Sequence, residues 1–292
     1  MTNQTYQYAS YKDATGTMDF GLTNDYMFHA VFQKNKTALT GLISSVLHME
    51  PEKIKSVIIT NPIKIGEQID EKSFVLDIEV LLNNDSILNL EMQMENQQDW
   101  QDRSLSYLCR SFDQLYQGEK YVDTKPITHI GFLNFTPFPD TPEFNATFKL
   151  LNMKNHIVYS DKFTLNVIDL KHIELATEED KVWKIDYWAR LFTATTWEEL
   201  KMIADNDIYL EAATQSMYEL SADELVKRQC RARRDYYKQM NSHNRTIRQL
   251  EEAQKELEST QAELKSTQTE LESAQTEIEQ LKQQIAELKS QQ

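Results

Sequence analysis

Apolar residues along the chain change period several times, and each change marks an element. Tyr26, Met27, Ala30 and Val31 fall at helical spacing behind Thr23-Asn24-Asp25, residues suited to capping a helix start. Lys36–Met49 keeps that period, with Leu39, Leu42, Ile43, Val46 and Leu47 on one face, and Pro51 helps to end it. Ser56–Thr60 is then a short β-branched run that predicts a strand. Phe74–Leu82 and Ile87–Met94 both alternate, separated by the turn residues Asn83-Asn84-Asp85-Ser86. Gln97–Gln117 returns to helix, with Leu105, Leu108, Phe112 and Leu115 as its buried stripe and Gly118 as its C-cap. Ile127–Phe135 is mainly apolar, as a strand covered on both sheet faces requires. Phe144–Leu151 and Phe163–Ile173 alternate again, and Glu178–Ala194, Trp197–Ala204 and Tyr209–Tyr218 read as helices. This order predicts an α/β fold.

From about Ile247 the pattern becomes strictly heptad. Leu250, Leu257, Leu264, Leu271, Ile278 and Ile285 recur every seven residues, and the positions three later are Ala253, Thr260, Thr267, Ala274, Leu281 and Leu288. Such a narrow apolar seam predicts a coiled coil over 249–292. With Leu250 at position a, Glu256, Glu263, Glu270 and Glu277 occupy g, facing Gln261, Gln268, Gln275 and Lys282 at e in a parallel pair. An antiparallel pair sets Glu against Glu. The expected assembly is therefore a parallel homo-oligomer, a dimer in the first instance.

Ahead of the periodic region, residues 1–20 are polar and aperiodic and read as a flexible leader. No apolar run reaches the roughly 18–20 residues of a membrane helix. The N-terminus lacks the basic start and apolar stretch of a signal peptide, which points to the cytoplasm. Cys109 and Cys230 lack metal-type spacing and read as reduced bystanders. No P-loop motif is present, so no nucleotide cofactor is expected. A net charge of −15 argues against a general nucleic-acid coat. The average conceals a basic connector at 226–248, where Lys227–Arg248 carries eight Lys and Arg against one acid, Asp235. Arg231, Arg233 and Arg234 within it are candidate contacts to DNA phosphates.

The residues able to do chemistry lie in the central hairpin. Phe74, Leu76, Ile78 and Val80 share one strand face, and Val75, Asp77 and Glu79 the other. In the next strand Leu88, Leu90 and Met92 share a face, opposite Asn89, Glu91 and Gln93. Placing both apolar sets on the core, with a three-residue loop Asn83–Asp85, sets Asp77 directly across from Glu91. Their Cβ atoms are then about 4.5–5.5 Å apart. Directly opposed carboxylates destabilise a strand pair, and Glu79 adds a third on the same face. Either water screens them on an exposed sheet, or a hard cation such as Mg²⁺ or Mn²⁺ relieves them. On the following helix, Arg103, Tyr107, Arg110 and Gln114 form a stripe able to face this acidic site, and arginine forks suit phosphate oxygens.

The stretches LTNDYMFHAVF (22–32), VLDIEV (75–80), LNLEMQ (88–93), Arg103 and Tyr107 ahead of QLYQGEKY (114–121), and ITHIGFLNF (127–135) resemble the recombination-promoting nuclease family, also described as PD-(D/E)XK nuclease family transposases. With the helical region near ELSADE (219–224), the resemblance spans most of a 21–225 nuclease domain. It implies a restriction-endonuclease-like core, a mixed sheet flanked by helices, cutting DNA with Mg²⁺ in recombination or mobile-element biology. Asp77 matches the first motif acid, Glu91 the second, and Gln93 the position usually held by lysine. An amide cannot deprotonate water, so Gln93 is expected to orient the attacking water or hold a phosphate oxygen. Asp25 matches a recurrent acid on the first helix, reaching the metal through water or capping that helix. The alternative is a catalytically degenerate DNA-binding or scaffold protein that works through its coiled coil.

Overall fold

The computed structural model describes residues 10–63, 77–95, 99–113 and 120–290. Helix α1 (Asp25–Lys34) starts where Asn24 accepts a hydrogen bond from the Met27 amide. Asn35 ends it and caps α2 (Lys36–Leu47) through the Ala38 amide, and His48 closes α2 in a left-handed conformation. Strand β1 (Val57–Ile59) follows, then the hairpin of β2 (Ile78–Leu82) and β3 (Ser86–Gln93). Helix α3 (Trp100–Phe112) crosses to β4 (Ile127–Leu133), and β5 (Asn145–Lys149) and β6 (Phe163–Asp169) complete the strands. Four helices come next: α4 (Glu178–Val182), α5 (Ile185–Thr193), α6 (Trp197–Ala204) and α7 (Ile208–Ser221). The last, α8, runs from Glu224 to Ser290.

Among the described residues the strands form one sheet in the order β1-β2-β3-β4-β6-β5. It is mixed. β3, β4 and β6 run parallel, and β1, β2 and β5 pair antiparallel with their neighbours. The α3 crossover supplies the long connection that the parallel β3–β4 pair demands.

Ile78 faces Leu90 and Val80 faces Leu88 across the hairpin, which is the register expected from the apolar pattern. The loop is Asn83–Asp85, with Asn83 and Asn84 at φ of 52° and 62°. Asparagine enters this left-handed region more readily than most side chains. The same register carried one pair further sets Asp77 across from Glu91.

One sheet face makes the main core. Ile78, Val80, Leu88, Leu90, Met92, Ile130, Phe132 and Ile168 pack there against α1, α2, α5 and α7 through Phe28, Phe32, Leu42, Trp188, Phe192 and Met217. Each such side chain stabilises the fold by roughly 1.5–3 kcal/mol through burial. Gly41 lets α2 approach α7, since a Cβ there would lie 2.2 Å from that of Tyr209. The opposite face is covered by α3. Leu108 packs on Ile87 and Ile127 at one end, and Trp100 on Leu133 and Val167 at the other. Between these two small clusters the covered face is polar.

Several expectations change at this level. The buried face of α3 is Trp100, Ser104 and Leu108, whereas Leu105 is half exposed at 49%. The side that docks is thus set by Trp100. The expected C-cap Gly118, together with Leu115 and Gln114, lies outside the described residues, as do residues 74–76 of the first hairpin strand. Residues 10–20 are not a free leader. Tyr11 and Phe20 are buried, the Tyr11 hydroxyl donates to Glu211, and Thr17 bridges to Thr196. The long helix expected at 178–194 is broken at Lys184, which is left-handed at φ 59° with its Nζ 2.5 Å from Asp207.

The chain divides into two units, 1–237 and 238–292. The second is helix, with Leu250, Leu257, Leu264, Leu271, Ile278 and Ile285 all more than half exposed. Among the described residues no helix is long and apolar enough to cross a membrane.

Candidate active site

The polar patch under α3 is built by three adjacent strands. From β3 come Asn89, Glu91 and Gln93, all buried; β4 supplies His129 beside Asn89 and Gly131 beside Glu91. Asp77, at the entry to β2, is buried as well. Its backbone is fixed by Asn61, whose amide donates to the Asp77 carbonyl (2.8 Å) and accepts from the Glu79 amide (2.8 Å). Nothing in the periodicity marked Asn61.

Helix α3 lowers Trp100, Arg103 and Tyr107 onto this patch. Trp100 can descend because Gly131 has no side chain; a Cβ there would lie 2.3 Å from the indole ring. Arg103 Nη2 sits 2.6 Å from Glu91 Oε1, and its guanidinium lies 5.5 Å from the centre of the Tyr107 ring. His129 is fully buried, stacked on Tyr107 and tilted against Trp100 at ring separations of 5.9 and 5.6 Å.

Electrostatically the patch is unsettled. Asp77 Oδ2 and both Glu91 carboxylate oxygens are buried without an aligned hydrogen-bond donor, the Arg103 contact being close in distance only. Burial pushes the Asp77 carboxyl well above the usual carboxylate range, and the Glu91 charge pushes it further. Arg103 and an amide hydrogen bond from Asn89 pull the other way. Burial also raises the Tyr107 phenol, with the Asp77 charge adding to it.

Two carboxylates with unpaired oxygens fit a hard divalent cation of the Mg²⁺ type. That ion commonly takes one or two carboxylates and completes its shell with waters and phosphate. They do not make a closed protein cage: among the described residues no three His, Cys, Asp or Glu side chains gather as a metal-holding group.

The remaining candidates fall in different places. Gln93 is buried in line with the acids, and its amide donates to the Glu95 carbonyl (3.0 Å). Glu79 turns aside to accept from the Thr60 hydroxyl at 2.5 Å. Arg110 is exposed on α3.

The expected capping role of Asp25 is corrected. Asn24 is the cap, and the Asp25 carboxylate is taken by Arg233, by the Tyr237 hydroxyl (2.8 Å) and by the Tyr26 amide (2.8 Å). Arg233 is accordingly a buried structural cation rather than a surface contact for phosphate. Periodicity could have shown this, because Val226, Cys230 and Arg233 are buried at helical spacing on α8. Burial, and then the Asp25 charge, push the Tyr237 phenol strongly upward. Arg231 and Arg234 are exposed, Arg234 lying over the Phe20 ring at 5.1 Å.

Trp188 and Trp197 are core residues. The cysteines are free; burial pushes the Cys230 thiol up to about 12, which makes it unreactive.

No curated protein and no solved structure matches the chain. The sequence model of one family does, over residues 22–246, from the start of α1 through the first part of α8 and across every element that builds the buried acid pair. The chain belongs to the PD-(D/E)XK nuclease family transposases.

Proposed function

We propose that the protein is a metal-dependent endodeoxyribonuclease acting in mobile-element or recombination biology. One observation carries this reading: Asp77, one residue ahead of the Ile78–Leu90 pair of the hairpin, and Glu91 are both buried, with Asp77 Oδ2 and both Glu91 oxygens lacking an aligned donor. Asp77 and Glu91 would hold the divalent cation, Mg²⁺ with Mn²⁺ as a substitute; when bound it supplies a Lewis acid and lowers the pKa of a coordinated water. The chain's own groups do the rest. Gln93 cannot take a proton from water and acts by orienting it or by holding a phosphate oxygen. Arg103, already at the rim of the acid pair, offers its fork to the scissile phosphate, with Tyr107 supporting the guanidinium. Exposed Arg110, Arg231 and Arg234 add sequence-independent affinity for the DNA backbone.

Plasmid cleavage in Mg²⁺, in Mn²⁺ and in EDTA tests the proposal. Cutting is expected with either metal and not in EDTA. Asp77→Ala and Glu91→Ala should each abolish it while leaving the far-UV CD spectrum nearly unchanged. Full cleavage by either variant would remove the site assignment.

A second reading is favoured by the Glu91–Arg103 contact at 2.6 Å, which already neutralises one acid. In that case the site is degenerate and the protein binds DNA without cutting it. DNA binding that is indifferent to EDTA, with no cleavage in either metal, would select this reading.

A further inference from the structure

Between β5 and β6 the chain leaves the sheet and forms a two-stranded arm. Leu151 bridges Val158, the Asn152 amide donates to the Ile157 carbonyl (2.9 Å), and the Tyr159 amide donates to the Leu150 carbonyl (2.9 Å). The tip is held as firmly. The Asn152 side chain accepts from the Lys154 amide (2.9 Å), the Asn155 side chain accepts from the Ile157 amide (3.1 Å), and His156 is left-handed at φ 56°. The arm is therefore a hydrogen-bonded ribbon with a defined turn.

Its side chains are poorly suited to water. Leu150, Leu151, Met153, Ile157, Val158 and Tyr159 are 38–88% exposed, Met153 at the tip most of all. Alternation puts Leu150, Ile157 and Tyr159 on one face and Leu151 and Val158 on the other, so both faces are bare. A partner lying flat against the ribbon covers one face. A groove covers both, and the major groove of duplex DNA admits a two-stranded ribbon.

Charge also favours a groove. The chain carries −15 overall, yet residues 145–162 hold Lys149, Lys154 and Lys162 against Asp161 alone. Lys162 donates to the Val122 and Thr124 carbonyls, which ties Lys120, Lys125 and the exposed Tyr121 to the base of the arm, with Asp123 the one added acid. Lys149 is paired with Asp161, whereas Lys154, exposed beside Met153, meets no carboxylate among the described residues. Methionine is one of the apolar side chains that DNA-bending proteins wedge between base steps.

We propose that the 150–159 arm enters a groove of duplex DNA, with Met153 wedged between base steps and Lys154 on a neighbouring phosphate. The proposal deepens the proposed function and rests on it only in taking DNA as the ligand. The arm leaves the sheet at the Phe163 end of β6, whereas the row of Glu91, Gly131 and Val167 lies toward the Asp169 end, so this contact is separate from the acid pair.

The experiment uses the full-length protein in EDTA with a short labelled duplex, so that binding is read without cutting. Met153→Ala, Met153→Leu and Lys154→Ala alter exposed side chains and should fold as wild type does. Affinity is measured by fluorescence anisotropy across a salt series, and the bend by energy transfer between dyes at the duplex ends. Met153→Ala should bind about tenfold more weakly, as expected when one methionine side chain is no longer buried, and should leave the duplex straighter. Met153→Leu keeps the wedge and should restore both properties. Lys154→Ala should reduce the salt slope by about one while keeping the bend. A Met153→Ala protein that binds and bends the duplex like wild type overturns the proposal. So do arm variants that change only the mass seen by light scattering, because the partner is then a second copy of the chain. A wild type that binds no duplex ends this proposal and the parent reading together. One that binds and bends it but cuts in neither Mg²⁺ nor Mn²⁺ ends the nuclease reading alone and supports the arm's role.

Discussion

Asp77 is buried with Oδ2 unpaired and a second carboxylate opposite it across the hairpin, so its charge works against the fold. An acid whose folded pKa lies above its unfolded value adds stability at low pH and loses it as the pH rises through the folded value. Metal-free protein should thus lose stability from about pH 4, the ordinary Asp range, upward. Asp77→Asn removes the titration. It should melt higher than wild type at pH 8 without metal, and its Tm should vary less with pH. Added Mn²⁺ should raise the Tm of wild type while leaving Asp77→Asn nearly still. Equal pH profiles for the two proteins, measured by thermal melts in EDTA, would mean that Asp77 is not the strained group. The prediction applies to stability alone, because the same substitution is expected to end cleavage.

At the scale of elements, α8 and α1 are joined by a buried ion pair and a phenol: Arg233 and Tyr237 of α8 hold Asp25 at the first turn of α1. Removing one partner of a buried pair leaves the other charge uncompensated, at a cost of about 3–5 kcal/mol. Arg233→Leu should therefore destabilise the body by that order in urea melts, whereas Arg231→Ala with Arg234→Ala should leave stability within about 0.5 kcal/mol. The double variant should instead bind DNA more weakly across all sequences and with a flatter salt dependence. An Arg233→Leu protein as stable as wild type would contradict the role given to the pair. This contrast also shows what was legible in the chain. Hairpin register followed from alternation together with the three-residue loop Asn83–Asp85, because a one-residue slip would expose Ile78, Val80, Leu88 and Leu90 together. That register carried Asp77 and Glu91 with it. The face of α3 was misread because Leu105 was weighed as core, while the docking side depended on a space at Gly131 that no helical pattern records. Asp25 and Arg233 are 208 residues apart, and composition alone made Arg233 one basic residue among eight. No sequence spacing marks His129, because its neighbours come from the adjacent strand and from α3 rather than from its own sequence.

At the scale of the whole molecule, the second unit presents a seam without a partner. Leu250, Leu257, Leu264, Leu271, Ile278 and Ile285 are 52–65% exposed along one helix, a two-in-seven stripe too narrow for the side of a globular body. The seam threonines are better suited to burial than their polarity suggests. Thr260 and Thr267 donate their hydroxyls to the Glu256 and Glu263 carbonyls at 2.9 and 3.0 Å, so each can turn its methyl group to a partner helix with the hydroxyl already bonded. Parallel pairing with a second copy sets the four g-position glutamates against three glutamines and Lys282 rather than against one another. It also brings the N-terminal ends of the two coil helices together, and with them the two chains whose cuts on opposite DNA strands a double-strand break requires. The full-length protein should accordingly be dimeric by light scattering, and truncation after Arg245 should give a folded monomer or a weaker oligomer. If pairing serves cutting, the truncated protein should retain nicking of supercoiled plasmid and lose more of its linearising activity. A full-length protein that scatters as a monomer at micromolar concentration removes the pairing. A truncated monomer that linearises as well as the full chain removes its link to the two cuts.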